Sequence, residues 1–396
     1  MGAANSSAGL LEARLPETIE VAGDAAGLED RLGAVPDGAG VFLVRLREGA
    51  PYLGRTALLR RRLRRLLREP GELSRRLNLR GLASHVEYWL VGSRLESSLL
   101  LYELARRHFP ETYVSYLKLR FPPYVKAILS NPFPRTQVTT RLSGARAFHY
   151  GPFRNRAAAE QFDKEVLDLF QVRRCPENLE PSPDHPGCIY GEMSLCLRPC
   201  QAAVSRHEYA SEVSRLVEFL ASRGRSLLEV IAAARDRLSE EMNFEEAARQ
   251  HQRLEKVQQV LRLRDELAED SSRLCGVAVT ASAVAGAAEL WFFCQGGWQP
   301  PLRVSFEVAD GKPVPLDRRL REMVAGLQPR APRGGERQEH LALLARWYYS
   351  SWRDGEWLRL EALDRLPYRK LVAAVARAVT ASLPSPSRPS TPPGAA

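Results

Sequence analysis

The stretch Gly40–Glu69, GVFLVRLREGAPYLGRTALLRRRLRRLLRE, decides how the N-terminal part of the chain folds. GVFLVRL alternates toward a strand, GAP supplies a turn and PYLGRT makes a second short strand, so a β-hairpin is predicted. Beyond it, Leu59, Leu63, Leu66 and Leu67 recur at helical spacing on one face, while Arg61, Arg64, Arg65 and Arg68 form a stripe on another. Working outward, HVEYWLVGS alternates as a strand and ESSLLLYELARRH reads as a helix. Hairpin, helix, strand and helix in that order predict a small α/β sandwich over residues 35–125.

The charge sits in the same region. Residues 40–126 carry 18 Lys and Arg against 7 Asp and Glu, a net of +11, which accounts for the whole +10 of the 396-residue chain. A basic domain attached to neutral ones fits a polyanion, most simply nucleic acid held through its phosphates. A solvated surface face is the competing reading of the arginine stripe, which has no acids interleaved. No apolar run reaches the roughly 18 residues of a membrane span, and the N-terminus lacks a basic region followed by an apolar core. A cytoplasmic location and no membrane partner are the expectation. Gly2 with Ser6 fits the short myristoylation pattern, without a second anchor nearby.

Four cysteines, Cys175, Cys188, Cys196 and Cys200, are grouped ahead of residue 201, the last three within GCIYGEMSLCLRPC. Thiolates at such spacings close around a tetrahedral zinc or an iron–sulfur cluster, because short loops bring each sulfur to one centre. Disulfides or buried structural thiols are the alternative, disfavoured in a reducing compartment. His185 is near enough to raise a mixed-ligand option, while Cys275 and Cys294 lie in apolar, strand-like runs and read as core.

Elsewhere, residues 1–34 read as a variable N-terminal tail with one helical turn, and residues 126–222 as a linker and cysteine-cluster domain ending in a helix at 205–222. Residues 226–269 predict an antiparallel helix pair broken at Met242 and Asn243. In it, Phe244, Ala247, Ala248 and Leu254 build an apolar seam that small alanines leave open to another helix pair. Residues 270–382 predict a mixed β/α domain with strands near 275–284, 288–294 and 301–308, a turn at Gly296 and Gly297, and three helices. Trp347, Tyr348, Tyr349, Trp352 and Trp357 concentrate there with Arg353 and Arg359; a packed helix core is favoured over base stacking. The Pro- and Ser-rich residues 383–396 read as a disordered tail. The fold class is α+β, multidomain.

Over roughly residues 35–265 the chain resembles UvrC, the incision subunit of the bacterial excinuclease. Gly40, Val41 and Phe42 with Tyr52, Leu53 and Gly54 resemble the paired signatures of a GIY-YIG nuclease domain. Tyr150, Gly151, Pro152 and Phe153 with the four cysteines resemble the UvrC cysteine segment, and MNFEEAARQHQRLEKV resembles the UVR motif that pairs with the helicase subunit UvrB. The resemblance implies a four-iron four-sulfur cluster on Cys175, Cys188, Cys196 and Cys200, with zinc as the alternative. It also implies catalytic roles for Tyr52, Arg55 and Arg62, and DNA contacts by Arg61, Arg64, Arg65 and Arg68. A nuclease of this kind needs a carboxylate to hold Mg or Mn.

Three positions depart from the pattern. Phe42 stands where the first signature has a tyrosine, Leu101 where the family has its metal-binding glutamate, and Tyr113 where an asparagine is common. Glu103 is two residues further along the helix, rotated by about 200°, and Glu96 lies on another face. The RNase H-like nuclease and paired helix-hairpin-helix modules of a full UvrC are not recognisable. The expectation is a DNA-binding repair protein that contacts UvrB with a degenerate nuclease site, an adaptor or regulator. The alternatives are an active structure-selective endonuclease making one incision near damage, and a metal-cluster protein that binds a polyanion outside repair.

Overall fold

The computed structural model describes residues 14–21, 25–69, 77–144, 146–306, 308–309, 312–313 and 315–382. The fold is mixed α/β, with antiparallel sheets and helices alternating along the chain. The expected tail at 383–396 and the Gly2–Ser6 pattern lie outside the described residues.

The N-terminal sheet has the order β1-β4-β2-β3, from β1 (Glu17–Glu20), β2 (Gly40–Leu46), β3 (Tyr52–Thr56) and β4 (Ala83–Leu90). Residues 40–108 follow the expected order: hairpin β2–β3, helix α2 (Leu59–Leu67), strand β4 and helix α3 (Arg94–His108). The reading of 1–34 as a tail is corrected. Strand β1 pairs with β4, and helix α1 (Ala25–Ala34) buries Leu28 and Leu32 with Val35 just beyond it. The physical reason is that β4 would otherwise leave an open edge, and the leucines of α1 complete the core over α2.

Successive residues of β2 serve opposite cores. Phe42 and Val44 pack with Leu59, Leu63, Leu66 and Leu67 of α2, each worth about 1.5–3 kcal/mol when fully buried. Val41 and Leu43 pack with Leu53, Leu100 and Leu104 on the α3 side. Gly54 is needed because a Cβ there would lie 2.7 Å from the Phe42 ring.

A second sheet, β6-β5-β7-β8, runs β5 (Tyr124–Ile128), β6 (Thr136–Thr139), β7 (Ala147–Gly151) and β8 (Glu269–Asp270), with β5 and β6 in a stretch whose prolines gave no strand signal. Helix α5 (Arg156–Leu167), the single turn α6 (Ile189–Glu192) and helix α7 (Arg206–Ala221) follow β7, and Ser205 with Glu208 forms a capping box at the start of α7. Helices α8 (Arg225–Glu240) and α9 (Phe244–Arg262) are the expected pair; Met242 takes φ +55° at the turn and Asn243 caps α9.

The third sheet is formed by β9 (Gly276–Ala281), β10 (Ala287–Cys294), β11 (Gly297–Trp298) and β12 (Leu302–Ser305), closed on the β9 edge by β15 (Glu356–Arg359), which the sequence reading missed. Helix α12 (Tyr368–Ser382) covers it, with Leu371 and Val375 in the core, and Cys275 and Cys294 are buried there as expected. Helix α3 is buried on two sides. Leu100 and Leu104 face the N-terminal sheet, while Leu95, Leu99 and Tyr102 enter a core shared with Trp291, Phe293 and Trp347. A helix apolar all round belongs between two layers. Arg14 reinforces the junction by pairing with both Glu96 and Glu289, the latter at 2.7 Å. Gly92 approaches the backbone of the third sheet so closely that a Cβ would sit 2.2 Å from the Ser282 carbonyl carbon. Among the described residues no helix is long and apolar enough to cross a membrane.

Candidate functional site

Two sites emerge, an arginine groove on the N-terminal sheet and a cysteine-lined cavity in the middle of the chain. The groove, a cavity of about 630 Å³, is lined by Arg60, Arg61, Arg62, Arg64, Arg65 and Arg68 with Asp37. Helix α2 produces it by burying its leucines, which leaves the arginines nowhere to go but the opposite face. The arginines are not equivalent. Arg60 donates to the Val35 carbonyl at 2.6 Å, Arg62 donates to the Tyr52 hydroxyl at 3.0 Å, and Arg64 pairs with Glu29 of α1 at 2.7 Å. Arg61, Arg65 and Arg68 are exposed and make no ion pair among the described residues. Of the four arginines expected to contact DNA, Arg64 is therefore partly neutralised by an acid that sequence separation hid.

The positions matched to a nuclease are only partly brought together. Tyr52 and Arg62 touch, and the Phe42 ring lies 6.1 Å from that of Tyr52. Arg55 instead donates to Ser98 on α3 at 3.2 Å, and burial with the charges of Arg346 and Arg94 lowers its pKa. Leu101 is half-buried against the core that holds Val41, Leu43, Leu100 and Leu104. Tyr113 is drawn away, its hydroxyl donating to Glu339 at 2.7 Å. Glu96 is buried, accepting from the Gly92 N–H at 2.8 Å. No group of three or more His, Cys, Asp or Glu stands where it holds a metal ion among the described residues.

That statement covers the cysteines as well, yet Cys175, Cys188, Cys196 and Cys200 all line one small cavity with Arg173, Arg174 and Arg198. The cavity they line is small, about 10 Å³. Left-handed backbone at Ser194 and Arg198 turns the chain between them, and the N–H of Ser182 bonds the Cys200 carbonyl at 3.0 Å. Burial pushes the Cys196 thiol up to about 11. His185 is a loop residue, its Nδ1 accepting from the Gly187 N–H at 3.0 Å.

Arg173, which the sequence reading passed over, is the telling neighbour. It is almost wholly buried, with Nε donating to the Phe133 carbonyl at 2.8 Å and Nη1 to the Glu177 carbonyl at 2.7 Å and toward Cys175 Sγ at 3.5 Å. Its Nη2 has no partner, and no carboxylate pairs with it among the described residues. A buried guanidinium without a counter-ion is costly, and thiolates bound to a metal centre would be the anions to offset it here. The donor set and the orphaned cation thus fit a thiolate-held group. The sequence signal was the pair of arginines directly before Cys175.

In the helix pair the expected seam is divided. Ala247 is buried, and Leu254 packs on the chain's own core. Phe244 is 66% exposed and Met242 78%, and Ala248 is exposed beside them.

Residues 123–219 match the family model described as the middle domain of UvrC/Cho excinuclease. The chain is 29% identical over 274 residues to the UvrABC system protein C of Moorella thermoacetica, an alignment covering 68% of this chain and 44% of that protein. It is 27% identical over 227 residues to that of Caldanaerobacter subterraneus subsp. tengcongensis (56% and 36%) and 28% over 228 residues to that of Methanothermobacter thermautotrophicus (57% and 38%). The chain spans less than half the length of these curated relatives. No solved structure matches it significantly. The UvrC kinship read from the motifs is thus supported, and the matched segment contains the whole cysteine cavity.

Proposed function

We propose that this chain, a UvrC relative through its middle domain, is a DNA-binding protein of nucleotide excision repair that engages UvrB and has lost GIY-YIG hydrolysis. The arginine groove carries the reading. It offers a concentrated positive surface with three guanidiniums that make no ion pair among the described residues, beside a Tyr52–Arg62 pair that lacks a metal-anchoring carboxylate at Leu101. Such a surface binds phosphates through counter-ion release and needs no hydrolysis to do so. The four cysteines, which line one small cavity, would hold a four-iron four-sulfur cluster, the group the UvrC resemblance favours, with zinc as the alternative. When bound, the cluster supplies negative charge to Arg173 and cross-links the loops.

Phe244 and Met242 at the tip of the helix pair supply an apolar anchor ringed by Glu241, Glu245 and Glu246, suited to a second helix pair. The test is a gel-shift titration of a damaged duplex preloaded with UvrB. The chain adds a slower-migrating species, and Phe244→Ala weakens its formation by roughly tenfold or more while leaving binding to free DNA unchanged. Equal affinity for UvrB-loaded and free duplex would remove UvrB from the proposal.

One observation favours an active endonuclease: the Tyr52–Arg62 hydrogen bond keeps two catalytic side chains in contact. That reading alone requires Mg or Mn, held by a carboxylate brought from elsewhere.

A further inference from the structure

We propose that residues of the C-terminal part of the chain extend the arginine groove into a continuous track for single-stranded DNA, with Trp352 at its middle. The inference rests on the DNA-binding reading and deepens it. The arginine groove shares Thr56 and Ala57 with a second cavity of about 410 Å³, to which α3 contributes Arg94 and the segment after helix α11 (Glu336–Tyr348) contributes Trp352. That cavity in turn shares Trp352 with a third, of about 460 Å³, whose cations are Lys118, Arg120, Arg154 and Arg346. Shared lining makes the three neighbours in sequence along one surface.

The charge along this path is lopsided. Asp37 and Asp354 are the acids that line it, and Asp354 is already committed: its carboxylate accepts from the Arg94 N–H at 2.5 Å and from Trp347 Nε1 at 3.1 Å. Arg154 is held by Asp265 at 2.6 Å. Lys118 and Arg120 are exposed and make no ion pair among the described residues. Burial first, and then the nearby charges of Arg346 and Arg94, lower the Arg55 pKa, so these three cations lie close together on this path.

Trp352 selects the form of the polyanion. Its ring is half-buried, packed against the core shared by α3 and the third sheet, with the Arg94 guanidinium 5.7 Å from the ring centroid. Phosphates alone would satisfy the cations in any nucleic acid, but a base reaches an indole set among cations only when it is unpaired. An aromatic platform in a basic groove is how single strands are held without sequence preference.

The test compares fluorescence anisotropy of a labelled oligothymidylate with that of a duplex of the same length, across a salt series. Trp352→Ala should weaken binding of the oligothymidylate by about tenfold or more without changing its salt slope, with duplex binding altered less than about twofold. Trp352→Phe should recover most of the loss. Lys118→Ala with Arg120→Ala, both exposed, should lower the single-strand slope by about 1.4, at roughly 0.7 per phosphate contact, and this arm decides if Trp352→Ala does not fold. If both sets of variants bind like the parent while Arg61, Arg65 and Arg68 replaced by Ala lose affinity, the track is overturned and the groove stands. If that triple replacement also changes nothing, the DNA-binding reading falls with the track.

Discussion

Replacing Arg61, Arg65 and Arg68 together by Ala lowers duplex affinity by roughly a hundredfold at low salt and reduces the slope of log affinity against log salt by about 2.7. The size follows from choosing three guanidiniums of the groove that make no ion pair among the described residues; each would release about 0.9 of a counter-ion on meeting a duplex phosphate. Arg64→Ala has a smaller effect, because Glu29 already offsets that charge at 2.7 Å. Arg60 and Arg62 are poorer probes, since they also hold the Val35 carbonyl and the Tyr52 hydroxyl. The triple variant keeps its thermal stability, its side chains being exposed. Loss of binding without a change in salt slope would mean that the arginines act through structure rather than on phosphates.

The second large effect concerns the cysteine cavity. Chain purified without oxygen carries iron and sulfide at about four each per chain, and Cys196→Ser or Cys200→Ser removes both. Because a bound metal centre and folding share one free energy, either variant also lowers the unfolding temperature, by on the order of 10 °C or more. The loss is compounded at Arg173, whose buried charge is then left without an anion. Cys275→Ser is the control. It lies in the core of the third sheet and leaves the iron content unchanged. One zinc per chain and no iron would replace the cluster by the alternative ligand, while no metal at all in the parent would remove the metal centre.

Local pattern carried some of this fold and long-range packing hid the rest. The hairpin and helix of Gly40–Glu69 were legible because strand alternation and helical leucine spacing are local properties. The helix pair was legible from Asn243, which caps α9 as its side chain suits it to do. Strand β1 was not, because four residues acquire their meaning only from the open edge of β4, far along the chain. Strand β15 was lost in an aromatic stretch read as helix core, and it takes its place by pairing with β9. Helix α3 showed its leucines but not that they would serve two cores, which is a matter of where the third sheet docks.

The candidate sites divide the same way. Residue types at 42, 52, 62 and 101 could be read, and with them the departures from the pattern that the resemblance implies. What could not be read was that Leu101 packs against the core between β2 and α3 while Tyr113 turns to Glu339. The cysteines announced themselves by spacing, but the buried guanidinium of Arg173 is visible only in three dimensions.

Incision of a UvrB-loaded damaged duplex in the presence of magnesium or manganese, by the parent chain and by Arg62→Ala, tests the central claim most directly. The account predicts that the parent binds the complex and leaves both strands intact, as does Arg62→Ala. A strand cut by the parent and spared by Arg62→Ala would contradict it, and would make the Tyr52–Arg62 pair part of a working nuclease.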